Sequence, residues 1–168
     1  MRQNLTTDTV ERYIEAPPEL LYDLVSDVTR TPELSPEVVR CTWVKGATGP
    51  VVGARFRAVN SAGRGPDWPN WPVVIAADRP KEFAFSRTEP FAGTLEWRYR
   101  FVPEGSGTKV LESYTVTKPI SVIGWFLIDK VSGLKDRAAD LHAGMAATLD
   151  RLAAITEKQQ RVNGNQRR

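Results

Sequence analysis

One cysteine, Cys41, stands in 168 residues, so no disulfide forms within the chain. It reads as a small buried hydrophobe. Histidine is equally scarce, with His142 alone. One histidine and one cysteine do not make a zinc site, and no metal is expected. No apolar run approaches the roughly 18 residues of a membrane span. The longest, 120–128, is interrupted by Ser121 and Gly124. The opening stretch, MRQNLTTDTVERY, has no apolar segment that would serve as a secretory signal. A phosphate-cradling loop is missing, because Gly63 and Gly65 lead into Pro66-Asp67 and not into a helical pattern. Nor is there a nucleophile-elbow sequence. Together these absences argue against covalent catalysis and for a cytoplasmic chain without a cofactor.

Charge of one sign is also missing from most of the chain. The net charge of +3 comes from the last twelve residues, where Lys158, Arg161, Arg167 and Arg168 face only Glu157. Residues 1–156 balance at 19 basic and 19 acidic, so the body is neutral. A nucleic-acid partner would need a basic face on the folded part, and none is expected. The tail, 158–168, is polar and reads as disordered. Residues 1–7 read as a flexible N-terminus, and 8–157 as one domain.

What is present is strand after strand, closed by one long helix. Residues 8–15 alternate, with Val10 and Ile14 on one face. Ala16-Pro17-Pro18 breaks that strand and starts a helix carrying Leu21, Leu24, Val25 and Val28. A second short helical turn fits 29–34, stopped by Ser35-Pro36. Strands follow at 38–45, 54–60, 71–77, 83–87, 94–102 and 108–117. The clearest is 94–102, where Leu95, Trp97, Tyr99 and Phe101 alternate with charged residues. No helical pattern separates these strands, so the sheet is antiparallel. Residues 120–128 suggest a short apolar helix. From 131 to about 157, Leu134, Ala138, Leu141, Met145, Leu149 and Leu152 form one apolar stripe. Arg137, Asp140, Asp150 and Arg151 fall largely away from it. The expected class is α+β: a curved antiparallel seven-stranded sheet wrapped around a long C-terminal helix, with two short helices after the first strand.

Five local phrases, in order, carry a resemblance. They are Ala16-Pro17-Pro18-Glu19 running to Val25-Ser26-Asp27, then Leu34-Ser35-Pro36-Glu37-Val38, and Gly53-Ala54-Arg55-Phe56 followed by Asn60. The hairpin Pro103-Glu104-Gly105-Ser106-Gly107-Thr108 and the helix phrase Gly144-Met145, Thr148-Leu149, Arg151-Leu152 complete the set. The sequence resembles the helix-grip proteins of the START, birch-pollen-allergen and polyketide cyclase/dehydrase superfamily (SRPBCC). The second phrase is similar to that of actinobacterial members, with Leu in place of Trp. The resemblance implies a helix-grip fold enclosing a cavity. It also favours Val110, Glu112, Tyr114 and Val116 as the inward set of the last strand.

Those faces supply the candidate site. Trp43, Phe56, Trp71, Phe85, Trp97, Tyr99 and Tyr114 recur on expected inward faces, where rings serve core packing or a flat apolar ligand. Asn60 shares that side and suits a ligand carbonyl or a strand-end contact. Glu112 is either a structural or ligand-orienting carboxyl, paired for instance with Arg12, or with Tyr114 a proton carrier raised by desolvation. His142 borders the stripe beside Leu134, Leu141 and Met145, as a structural residue or a third acid–base candidate. Trp125 and Phe126 are expected at the pocket rim. The expected partner is a hydrophobic small molecule: a lipid, polyketide or aromatic metabolite. At most peripheral membrane contact is expected, with a monomer or homodimer. The alternatives are a cyclase, aromatase or dehydratase using Glu112, Tyr114 or His142, and a protein-interaction module.

Overall fold

The structure is a computed structural model that describes residues 5–63, 65–89, 92–128, 130 and 136–165, the last by its backbone alone. Strand β1 (Thr7–Ile14) leads to helix α1 (Pro18–Ser26). Proline in its first turn and Glu19 at the positive end of its dipole suit that start. Leu21, Tyr22, Leu24 and Val25 give α1 its buried face. A 3₁₀ turn (Val28–Arg30) follows, started by the Asp27 carboxylate accepting from the Thr29 N–H, and then α2 (Thr31–Leu34). Six of the remaining strands are β2 (Val38–Val44), β3 (Arg55–Asn60), β5 (Val73–Asp78), β6 (Glu82–Glu89), β7 (Gly93–Glu104) and β8 (Gly107–Lys118). With β1 they form one sheet in the order β1-β8-β7-β6-β5-β3-β2, antiparallel at each pairing.

An eighth strand, β4 (Trp68–Asn70), pairs with β3 beside this path. No strand is expected there from the sequence, and the strand expected at 71–77 begins instead at Val73. Pro69 and Pro72 have no N–H to give to a ladder, so one strand does not run through both. Pro72 instead uses its carbonyl, which accepts from the Phe56 N–H. Trp71 falls in the break and is 52% exposed, with the Arg57 guanidinium over its ring.

Helix α3 (Val122–Leu127) is capped by the Ser121 hydroxyl, which accepts from the Gly124 N–H. The long helix α4 runs over Arg137–Asn165. The Asp136 carboxylate accepts from the Ala139 N–H at its start. The expected beginning at 131, and Leu134 with it, lie outside the described residues. At the other end α4 continues past 157, where composition predicts a disordered tail. Glu, Lys, Gln and Arg are good helix formers, and they extend a helix that packing has already nucleated. Near the N-terminus, Leu5 is buried against Leu95 and Tyr114 instead of belonging to a flexible end. Among the described residues no helix is long and apolar enough to cross a membrane.

The core has two parts. In the larger, Leu149, Leu152 and Ala153 of α4 meet α1 and the sheet through Leu21, Phe83, Phe101 and Val110. In the smaller, Leu141 and Met145 meet Leu5, Leu95 and Tyr114. The middle of α4, from Leu149 to Thr156, is therefore seated in close packing, and the helix beyond it is largely exposed. Toward its N-terminus the helix turns Leu141, Met145 and Thr148 inward, with Gly144 toward Pro36, and the missing side chain at Gly144 leaves space beside them. Leu152 is completely buried. Leu152→Ala is expected to lower unfolding free energy by about 3 kcal/mol, read by urea denaturation at neutral pH.

Candidate functional site

The space beneath the first half of α4 is a cavity of about 570 Å³. Its sheet wall carries Phe56, Phe83, Phe85 and Trp97, three of them stacked edge-on or tilted in the row Phe56–Phe85–Phe83. Strand alternation puts Phe83, Phe85 and Arg87 of β6 on that wall together. Val25, Val28 and Leu34 close one side, and Leu141 and Met145 form the roof. The lining becomes solvent-exposed at Gly63, Asp140 and Ala143, which marks the mouth. Cys41 also lines the cavity, and burial pushes its thiol up to about 12. It stays protonated and unreactive there.

Two polar groups stand out in this apolar lining. The first is Glu112, which is 3% exposed. It sits on β8 opposite Tyr99 of β7, and the Tyr99 hydroxyl donates to its Oε1 at 2.7 Å. Burial raises the carboxyl to about 8, against a smaller opposing effect of the Tyr99 hydrogen bond. Tyr99 is pushed well above its ordinary value, first by burial and then by the neighbouring carboxyl. At neutral pH Glu112 is mostly a neutral acid.

The second is a buried ion cluster. Arg137, 7% exposed, donates from both terminal nitrogens to Glu37, at 3.0 and 2.9 Å. Arg87 lies 3.9 Å from the same carboxylate and 3.3 Å from Glu89. Its Nε–H does not point at Glu89, so that contact is an ion pair without a hydrogen bond. Asn70 donates to Glu89 at 2.9 Å. Burial works against the Glu37 charge, but the Arg137 guanidinium outweighs it and holds the carboxyl below its usual range. Beyond this cluster lies a second cavity of about 400 Å³, with Arg87, Arg137 and Leu141 common to both walls.

Of the candidates read from the sequence, Phe56, Asn60, Phe85, Trp97, Tyr99, Glu112, Leu141 and Met145 line the first cavity. Asn60 also donates to the Trp68 carbonyl, holding β4 in place. The others lie elsewhere. Trp43 packs behind Phe56, edge to face at 5.7 Å. Trp71 is in the strand break described above. Tyr114 is buried in the smaller core against Trp97, at 5.6 Å. His142 points outward, 58% exposed, and pairs with Asp8 at 2.7 Å. The i+1 position after Leu141 turns it away from the sheet. Trp125 packs on the smaller core and Phe126 is exposed, while Ile120, Gly124 and Leu127 of that segment border the second cavity. Arg12 pairs with Asp150 across β1 and α4, not with Glu112.

The sequence reading passed over Glu37, Asn70, Arg87 and Arg137. Alternation along β6 was a usable signal for Arg87. For Arg137, the stripe position of Leu141 one turn later was the signal, since residues four apart share a face.

Both buried carboxyls have signed consequences for stability. Glu37, held low, stabilises the fold above the ordinary carboxyl value of 4.5 and loses that contribution as pH falls through its lowered value. Arg137→Gln is therefore expected to cost about 3 kcal/mol at pH 7, a gap that closes in acid. Glu112, held high, favours the fold below 4.5, and that advantage drains away as pH rises through about 8. Wild type should lose stability against Glu112→Gln between pH 5 and 8. Urea titrations at several pH values check both.

Residues 6–157 match the family described as polyketide cyclase / dehydrase and lipid transport. No curated protein matches the chain significantly. Solved structures do. The di-domain ARO/CYC StfQ from the steffimycin biosynthetic pathway superposes with a TM-score of 0.73 at 13% identity, over 92% of this chain and 51% of that one. A protein of Chromobacterium violaceum gives 0.68 at 15%, over 91% and 99%. One from Thermus thermophilus gives 0.63 at 26%, over 89% and 99%. These likenesses agree with the helix-grip architecture, and with the match over 6–157 they place the chain in the polyketide cyclase/dehydrase and lipid transport family.

Proposed function

We propose that this protein binds and carries a hydrophobic small molecule in the larger cavity. The observation that carries this reading is the cavity itself: about 570 Å³ kept open and walled by phenylalanine and tryptophan rings. Protein interiors are otherwise close-packed, and pockets for small molecules are of this size and lining. Sequestering an apolar molecule there removes its surface from water, at roughly 25 cal/mol per Å². The family description, which includes lipid transport, supports the same reading. So does the open volume, since an interaction module gains nothing from an unfilled core. A cytosolic location and a single-chain carrier fit a reduced, buried Cys41.

A second reading has its own support. Glu112 and Tyr99 form a buried acid–phenol pair facing apolar space, and a neutral carboxyl there is suited to protonating an enolate or a departing hydroxyl. StfQ, a structural neighbour, is named as an ARO/CYC protein. As a cyclase or dehydratase this chain would use Glu112 as the acid. Tyr114 and His142 stand apart from such a role, the first in the core and the second outward.

Native mass spectrometry of the purified protein is expected to show a bound small molecule. Ala58→Phe fills the cavity from the inward row of β3, and it should weaken Nile red binding at least tenfold while the circular dichroism spectrum is kept. An empty wild-type protein that binds no Nile red defeats the carrier reading. Turnover of a poly-β-ketone that Glu112→Gln abolishes, with its binding kept, would favour the enzyme instead.

A further inference from the structure

Three buried side-chain polar atoms have no hydrogen-bond partner among the described residues: Asn70 Oδ1, Arg87 Nε and Glu112 Oε2. All three belong to residues that line the larger cavity. Buried polar atoms are paired in nearly all folded proteins, because leaving one unpaired forfeits its hydration for nothing. Arg87 Nε is compensated as an ion pair 3.3 Å from the Glu89 carboxylate, but Asn70 Oδ1 and Glu112 Oε2 in one cavity mark a site whose partners arrive from outside the chain.

Their chemistry is fixed by the bonds their neighbours do make. Tyr99 donates to Glu112 Oε1, so in the neutral acid Oε1 is the carbonyl oxygen and Oε2 carries the proton. Oε2 is then a donor with no acceptor. Asn70 gives its amide hydrogen to Glu89, which fixes the orientation of the amide and leaves Oδ1 as an acceptor with no donor. The charges around them already cancel. Arg137 and Arg87 face Glu37 and Glu89, and Asp140 at the mouth adds another carboxylate. A carboxylate ligand would therefore meet matched cations and an unionised acid.

The two end stations are far apart. Phe83 of β6 stands in register with Tyr99 and so with Glu112, whereas Asn70 is held by Glu89 at the end of β6. That is about 20 Å of strand, shortened between the side-chain tips that reach inward. We propose that the cavity selects an elongated neutral ligand with a carbonyl oxygen received by Glu112 and a hydroxyl given to Asn70, and rejects carboxylates such as fatty-acid anions. This rests on the reading that the cavity binds a hydrophobic molecule. Its end groups, not its apolar body, decide which molecule is kept.

The donor at Glu112 is present only while the group is protonated. Its strand neighbours are Val10 on β1 and Tyr99 on β7, and Tyr99 is the titratable group that bears on it. The preference for a carbonyl should fade as pH passes about 8. Glutamine at this position keeps an N–H donor at every pH, and leucine keeps none.

Estrone is a rigid neutral probe with a hydroxyl and a ketone at opposite ends. Its affinity, measured by titration calorimetry at pH 6.5, is compared with those of 3-deoxyestrone, 17-deoxyestrone and the 3-hydroxyestratriene 17-carboxylate. Estrone is expected to bind about tenfold tighter than either deoxy compound, and more tightly again than the carboxylate. The ketone advantage should vanish in Glu112→Leu. In wild type it should vanish above pH 8, and in Glu112→Gln it should persist there. Equal binding of all four, or tightest binding of the carboxylate, overturns the selection while leaving the carrier reading intact. If none binds although a ligand co-purifies, the selection is again wrong. If none binds and nothing co-purifies, both fall.

Discussion

The bidentate pair between Arg137 and Glu37 is the constraint on which the cavity depends. It ties the first turn of α4 to the residue that precedes β2, so the helix is pinned at its start by charge and at its middle by packing of Leu149 and Leu152. Between these anchors Leu141 and Met145 rest on Leu5, Leu95 and Tyr114, and the cavity lies beside that contact. Two ions of this kind are expensive to bury, and hydrophobic residues of the same volume would often hold a helix better. A hydrophobic clamp, however, would draw α4 down onto the rings of β6 and β7. A guanidinium fixed by two hydrogen bonds sets a distance, and the open volume follows from that distance.

The sheet meets the same requirement from its own side. Its inward rows alternate large rings with smaller groups, and the rings pack on one another: Trp43 on Phe56, Phe56 on Phe85, Phe85 on Phe83. A wall of rings that satisfy each other stays in place when the space in front of it is unfilled. Ala58, between Phe56 and Asn60 in the inward row of β3, and Gly144 on α4 line the same space with little side chain to offer. The cavity is thus built by rigid residues opposite small ones, held apart by an ion pair.

Much of this was legible in the sequence, and the reasons are specific. Strand alternation made the inner face of β7 readable, because Leu95, Trp97, Tyr99 and Phe101 are separated by charged residues without exception. The expected strand order lacked β4, because Pro69 and Pro72, with no N–H to give to a ladder, hid a short paired segment ahead of the strand that begins at Val73. Ring count was a poorer guide than ring position. Trp71, Tyr114 and Phe126 are aromatic like Phe85, yet they sit in a strand break, in the smaller core and in solvent. What composition hid altogether was the inward turn of charged residues. Arg87 and Arg137 look like surface residues because burial of a guanidinium depends on a partner from a distant part of the chain, and that partner, Glu37, lies 50 residues from one and 100 from the other.

Glu112 shows how the two levels join. A carboxyl set at the back of an apolar cavity raises its own proton affinity, and the register that places it beside Tyr99 satisfies one of its oxygens and leaves the other bare. Replacing Glu112 and Tyr99 together by leucine and phenylalanine would remove the unpaired atom and the pH-dependent penalty without orphaning the phenol, so stability alone gives no reason to keep the pair. The same holds at the far end, where Asn70 keeps a polar atom unmatched beside an ion cluster that is otherwise closed. Two separated defects of complementary kind, a donor at one end and an acceptor at the other, are what a binding site contributes when its ligand supplies the remaining bonds. The ion cluster then has a second consequence. By neutralising its own arginines it leaves the cavity attractive to dipoles and indifferent to anions, which turns a structural clamp into a filter.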